Sequence, residues 1–220
     1  MRNKEPSVYL IGVDLGQSHD YTAISIIRRE KILDRVHNGV KKYRQYDLVH
    51  LERPPLGTPY PAIIDRLKDL KAKLNGYSII VVDATGVGAP VVDMLRKEKL
   101  KPVPIIIHGG QAVHTEKGSH HVPKRDLVST LQVLFQTGRF RIAAGLKLGR
   151  IFEAELQNFK AKINISTGHD SYEAWRDSEN DDTVLSAAIA AWVGEKRMPW
   201  LSSDLQKISE IMGIKTRVTV

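Results

Sequence analysis

The chain has 220 residues, 42% of them hydrophobic, which suits one sizeable α/β domain, is short for two, and excludes wholesale disorder. There is no cysteine, which excludes disulfides, thiolate zinc sites and cysteine nucleophiles, so any catalytic metal must be held by carboxylate, imidazole or backbone oxygen. Thirty-three Lys and Arg against 25 Asp and Glu give a net charge of +8, a surplus that suits a polyanionic partner, and no apolar run reaches membrane-spanning length.

In chain order, the charged opening reads as a short tail over residues 1–7, with no signal-peptide pattern. Val8 to Val13 is a compact apolar run that ends at Asp14, and the turn formers from Leu15 to Asp20 lead into β-branched Thr22 to Ile27, so the pair reads as a hairpin. A third strand is expected between Tyr46 and Leu51, before the breakers Pro54, Pro55 and Gly57. Ile63, Ile64, Leu67, Leu70 and Leu74 fall at helical spacing, and Asn75-Gly76 closes that helix. Ile79 to Asp83 is a strand of the kind buried on both faces. Thr85-Gly86-Val87-Gly88 turns into a helix that runs to about Lys99, and Val103 to Ile107 is another buried strand. His108 to Val122 reads as an open loop. Helices are expected at Lys124 to Gln136 and from Leu148 to Phe159, on either side of a short strand at Phe140 to Ala143. Ile163 to Trp175 is ambiguous, Asp182 to Val193 is an apolar, alanine-rich helix, and 199–220 is a polar tail. Three strands in meander, then alternating helices and strands, is the RNase H-like order. The expected fold is therefore α/β, with a mixed sheet of five to six strands flanked by helices over residues 8–198 and the first and fourth strands side by side.

Three acidic positions stand where chemistry would want them. Asp14 ends the first strand, Asp83 ends the fourth, and Asp181-Asp182 opens the last helix. Clustered carboxylates raise one another's pKa unless a cation neutralises them, and an oxygen-only cluster suits Mg²⁺ or Mn²⁺. Two such ions about 4 Å apart can activate water and stabilise the leaving oxygen of a phosphodiester. Taken singly, each acid has a plainer role: Asp14 in an Asx turn, Asp182 as a helix cap or first-turn acid. The three in this order favour the metal site. Asp20 lies across the hairpin turn from Asp14 and is a further candidate ligand or a loop-shaping residue.

The segment Gly12-Val13-Asp14-Leu15-Gly16-Gln17-Ser18-His19-Asp20-Tyr21-Thr22 resembles the opening motif of the nuclease domain of phage large terminase subunits. Val82-Asp83-Ala84-Thr85-Gly86-Val87-Gly88-Ala89-Pro90 resembles their second motif. Asn180-Asp181-Asp182-Thr183-Val184-Leu185-Ser186-Ala187-Ala188-Ile189-Ala190 is similar to their third, with Asn180 where many members carry histidine. Lys124-Arg125-Asp126-Leu127 and Glu155-Leu156-Gln157-Asn158-Phe159 also resemble the family. The likeness runs from about Val8 to Trp192. It implies a metal-dependent endonuclease that cuts concatemeric double-stranded viral DNA with little sequence preference, inside the host cytoplasm and alongside other terminase and portal components. Asp14, Asp83 and Asp182 would be the metal ligands, with Asp181 assisting. A full-length large terminase also carries an ATPase; no G-x-x-x-x-G-K-[ST] occurs in this sequence, so no nucleotide is expected on this chain.

Lys117, Lys124 and Arg125 are candidate phosphate contacts, as are Lys41, Lys42 and Arg44, which lie among Tyr43 and Tyr46 where stacking on bases is conceivable. His108, His114, His120 and His121 match no common zinc spacing, so a surface loop, or one that touches DNA or gates the substrate, is the favoured reading there. Glu155 shares a helix face with Leu148, Phe152 and Phe159, and a structural ion pair is expected for it. Competing functions are a junction resolvase or another RNase H-like nuclease, an actin-like or sugar-kinase-type ATPase domain, and a catalytically silent DNA-binding module.

Overall fold

The structure is a computed structural model that describes residues 7–16, 20–36, 39–86, 88–165 and 181–198; the side chains of 35–41, 88 and 158–165 are outside the description. Its centre is a sheet of β1 (Val8–Asp14), β2 (Ala23–Val36), β3 (Gly39–Glu52), β4 (Tyr77–Asp83), β5 (Val103–His108), β6 (His114–Glu116), β7 (Ser119–Pro123) and β8 (Phe140–Ile142). The strands lie in the order β6-β7-β5-β4-β1-β2-β3-β8. The first three form an antiparallel meander, and β4 lies parallel to β1, as the RNase H-like order requires.

The sheet has eight strands where five or six were expected. One added pair is β6 and β7, which occupy much of the stretch read as an open loop. Lys117 and Gly118 both have positive φ, 48° and 80°, and make the two-residue turn that antiparallel strand twist favours. The strands are short and polar, so hydrophobic alternation never announced them. β2 and β3 also run to 14 residues each, well past the apolar runs that marked them. Cross-strand charge pairing carries part of that extension: Arg28 meets Asp47 at 2.8 Å, and Arg141 of β8 meets the same carboxylate at 2.7 Å.

Side-chain alternation splits the core in two. One face packs Leu10, Ile27, Val81 and Ile105 beneath α3 (Lys124–Gln136), α4 (Gly149–Ile165) and α5 (Asp182–Lys196). The other packs Ile11, Val13, Ile80 and Val82 beneath α1 (Tyr60–Ala72) and α2 (Gly88–Lys97). Every residue from Thr183 to Gly194 is buried, so α5 is enclosed all round. That is why it is rich in alanine and carries no polar stripe. The expected boundaries of α3 are met. Most of the ambiguous stretch Ile163 to Trp175 lies outside the described residues, as do the two tails.

One tie between sheet and helix carries a pH signature. Arg66 of α1 grips Glu52, at the end of β3, through Nε at 2.8 Å and Nη2 at 2.6 Å, and His50 adds a contact at 3.0 Å. Burial alone would raise the Glu52 carboxyl; Arg66 and His50 outweigh it and bring the pKa from 4.5 to about 2. A depressed carboxylate stabilises the fold above its unfolded value and loses that contribution as pH falls from about 4.5 towards 2. Glu52→Gln is expected to cost about 1 kcal/mol at neutral pH, after solvent screening of a partly exposed pair. Thermal melts should show the gap from wild type narrowing over that acid window.

Candidate metal centre

Asp14 and Asp83 reach one edge of the sheet because their strands are parallel neighbours. The register pairs Val13 with Val82, one residue short of both acids. Alternation sends Leu10, Gly12 and Asp14 to the α5 side, and Val81 and Asp83 with them. Gly12 lets the helix approach, because a Cβ there would lie 1.9 Å from the Ser186 carbonyl oxygen. Asp182 lies one helical turn before Ser186, and Asp14 two residues beyond Gly12, so this contact sets the start of α5 against the strand ends. Asp83 also shapes its own turn: its carboxylate accepts the Thr85 N–H at 2.8 Å.

The start of α5 is not capped by its own acids. Asp181 stands at the N-cap without a side-chain capping bond. Glu155 of α4 does that work, accepting the N–H of Thr183 at 3.1 Å and of Val184 at 3.3 Å, together with the Thr183 hydroxyl. Arg53, just past β3, pairs with Glu155 and reaches Asp182 at 3.3 Å, while its guanidinium lies over the Tyr21 ring. Lys124, the first residue of α3, holds Asp181 at 2.8 Å. The plainer role for the paired aspartates, capping, is therefore filled from elsewhere, and their carboxylates turn to cations. Glu155→Ala is expected to cost about 2 kcal/mol, the upper end for a lost cap, read as a lower melting temperature.

The electrostatics are those of a crowded anionic site. Burial pushes Asp14 well above the ordinary carboxylate range, and Asp83, Asp182 and Asp181 push it further, against relief from Lys124. Asp83 is raised by burial and by Asp181, opposed by its bonds to Thr85 and by Lys124. Asp182 is pushed up to about 6, mainly by burial, with Arg53 opposing and Glu155, Asp181 and Asp20 adding repulsion. Burial also raises Glu155, against its bonds to Thr183 and the charge of Arg53. Such a set stays ionised at neutral pH when cations sit among the oxygens. Its all-oxygen donors fit Mg²⁺ or Mn²⁺. No three of these carboxylates close to within 4.8 Å of one another, as a tight single-ion cage would.

Asp20 is exposed at the rim, where its charge still acts on Asp182. The basic residues fall into three places. Lys124 points into the acid cluster, as described. Arg125 is half exposed and donates to the Gln111 carbonyl at 2.8 Å, and Lys117 stands almost fully exposed at the β6–β7 turn. Arg44 donates to the carbonyls of Gly194 and Glu195 at 3.4 and 3.1 Å, at the far end of α5, roughly 20 Å from Asp182 by helical rise. Lys42 is exposed there, and the side chain of Lys41 is outside the description. Tyr46 does not serve as a stacking platform: it is fully buried and its hydroxyl donates to Glu195 at 2.6 Å. A cavity of about 500 Å³ opens at this same far end, beside Lys42, Arg44, Arg139 and Glu195, away from the acids. Sequence reading missed Arg53. Its only signal was a base directly after a strand end, which many solvated arginines share.

No family model matches the chain, and no curated protein does. Among solved structures the chain is similar to the large terminase nuclease from thermophilic phage G20c, solved with bound zinc, at 21% identity and a TM-score of 0.48, over 86% of this chain and 81% of that one. No helix among the described residues is long and apolar enough to cross a membrane.

Proposed function

We infer that the chain is a divalent-metal-dependent DNA endonuclease of the genome-packaging type. The observation that carries this reading is the juxtaposition of Asp14 and Asp83, on adjacent parallel strands, with the Asp181-Asp182 start of α5. The motif resemblance around each of those acids supports it.

In this reading Asp14, Asp83 and Asp182 hold Mg²⁺ or Mn²⁺, Asp181 assists, and Asp20 contributes from the rim. The ions, when bound, supply the charge neutralisation and water activation that phosphodiester hydrolysis needs. The chain's own residues fix the acids beforehand. Thr85 orients Asp83 through its N–H, Lys124 holds Asp181, and Arg53 ties Asp182 to Glu155. Attack of water on phosphorus with loss of the 3′ oxygen leaves a 5′-phosphate and a 3′-hydroxyl. An acid cluster at an open sheet edge suits a polymer that lies across the surface. Arg125, next to Lys124 at the start of α3, flanks the approach as a phosphate contact, whereas Lys117 lies at the β6–β7 turn towards the C-terminal end of α5; without base readout binding should fall steeply with salt. The domain spans 8–198. Double-stranded DNA is the substrate, other terminase and portal components the partners, and the host cytoplasm the setting. The packaging motor lies outside this chain's described fold.

The test is plasmid digestion with Mg²⁺, with Mn²⁺ and with EDTA. Metal-dependent nicking and linearisation that EDTA stops is expected. Intact supercoiled plasmid under every condition counts against the reading, and preference for four-way junctions over linear duplex would move it to a resolvase.

A further inference from the structure

We propose that the β6–β7 hairpin carries a second metal site, for a borderline transition-metal ion such as Zn²⁺, built from His114, Glu116 and His121. One ligand atom from each lies within 4.8 Å of the other two, the only such group of three among the described residues. The sequence pattern hid it, because the third ligand is a glutamate and the spacing belongs to a hairpin, not to a zinc finger.

The hairpin's geometry makes the group. His114 and His121 are directly paired across the two strands, so their side chains leave on the same face. Glu116 stands two residues after His114 and therefore shares that face. The rings of His114 and His121 are stacked, 4.4 Å between centroids and 16° between planes. The Lys117-Gly118 turn pins this register, since both residues take the left-handed backbone it requires. The opposite face is anchored to the domain. There Thr115 and His120 meet Arg197 at 2.9 and 3.2 Å, and His120 lies 6.0 Å from the Trp192 ring. A hairpin fastened on one face thus presents its ligands on the other.

Bonds of about 2 Å to a tetrahedral ion put ligand atoms roughly 3.3 Å apart, so side-chain rotation has about 1.5 Å at most to close. Two imidazoles and one carboxylate favour Zn²⁺ and its neighbours over Mg²⁺, which wants oxygen. His108 lies on the same side, 5.8 Å and 6.4 Å from the two rings. Its Nδ1 accepts the Gly110 N–H at 2.9 Å, so the ring proton sits on Nε2 and no lone pair is left for a metal. Three protein ligands result, and a fourth position remains for solvent. Among the described residues Lys117, 3.7 Å from Glu116, is the cation that the structure pairs with these ligands.

This site is separate from the aspartates. β7 register places His121 beside Ile106, whose side chain packs on the α1–α2 face, whereas Asp14 and Asp83 lie on the α5 face. The two proposals therefore fail independently.

The experiment is equilibrium dialysis of the full chain against Zn²⁺ at micromolar free concentration, with metal analysis, in an Asp14→Asn/Asp83→Asn background that disables the acid cluster. One equivalent of zinc should remain bound. Adding His114→Ala or His121→Ala should weaken it by more than about a hundredfold, the upper end of what loss of an outer hydrogen-bond partner costs a metal site. Millimolar Mg²⁺ should not displace it, and circular dichroism should be unchanged, because the altered side chains lie on the hairpin's open face. Zinc binding indifferent to both histidines, no bound zinc at all, or ready displacement by Mg²⁺ would each overturn the proposal.

Discussion

Asp83→Asn is expected to lower Mn²⁺-dependent plasmid cleavage by at least about a thousandfold while leaving DNA binding largely intact. Metal-ion catalysis is worth several kcal/mol of transition-state stabilisation, and each 1.4 kcal/mol is tenfold in rate. Asparagine keeps the shape and the Thr85 contact but removes the charge that holds a cation. The same logic predicts a gain in stability where function is lost. A carboxylate whose folded pKa is raised destabilises the metal-free fold at neutral pH, and that cost fades as pH drops through the folded value. For Asp182 the window lies between about 6 and its ordinary 3.8. In EDTA, Asp182→Asn should therefore melt higher than wild type at neutral pH, and that gap should narrow as pH falls across the interval. Added Mn²⁺ should stabilise wild type and not the variant. Equal cleavage by wild type and Asp83→Asn, or an Asp182→Asn protein less stable in EDTA, would contradict this.

Gly12→Ala is the second large effect. The added methyl would meet the Ser186 carbonyl oxygen at 1.9 Å and its carbon at 2.8 Å, with the Ser25 hydroxyl at 2.9 Å. The obstacle is backbone of a helix enclosed on all sides, so no side chain can swing away. Overpacking a well-filled core costs about 1–3 kcal/mol, and backbone overlap belongs at or beyond the top of that range. A chain of this size should lose about 6–12 °C in melting temperature for about 3 kcal/mol. Because relief requires α5 to move off β1, cleavage should also fall at temperatures where the variant is still folded. A variant that melts like wild type and cleaves normally would mean that the helix does not set the acids.

The fold was legible where hydrophobic periodicity is strong. β1, β4, β5, α1 and α3 stand out as buried runs or clean helical faces, and the pairing of the first and fourth strands followed from the order of elements. The acids were legible because each ends or opens an element, and one parallel pairing brings two of them together. The β6–β7 hairpin was not legible: its strands are three and five residues long and polar, and their register rests on backbone angles at Lys117 and Gly118. Arg53 was equally hidden. Its importance comes from meeting Glu155, 102 residues away in sequence, and nothing local to either residue encodes that contact. Lys124 was read as a phosphate contact because a first-turn lysine looks solvated, and only the fold turns it to Asp181.

Crystals of the protein soaked in Mn²⁺ and measured at the manganese edge would show whether Asp14, Asp83 and Asp182 hold cations. Two anomalous peaks about 4 Å apart are expected, bounded by the carboxylates of Asp14, Asp83 and Asp182. Manganese found elsewhere, with ordered carboxylates at the sheet edge and none between them, would contradict this expectation.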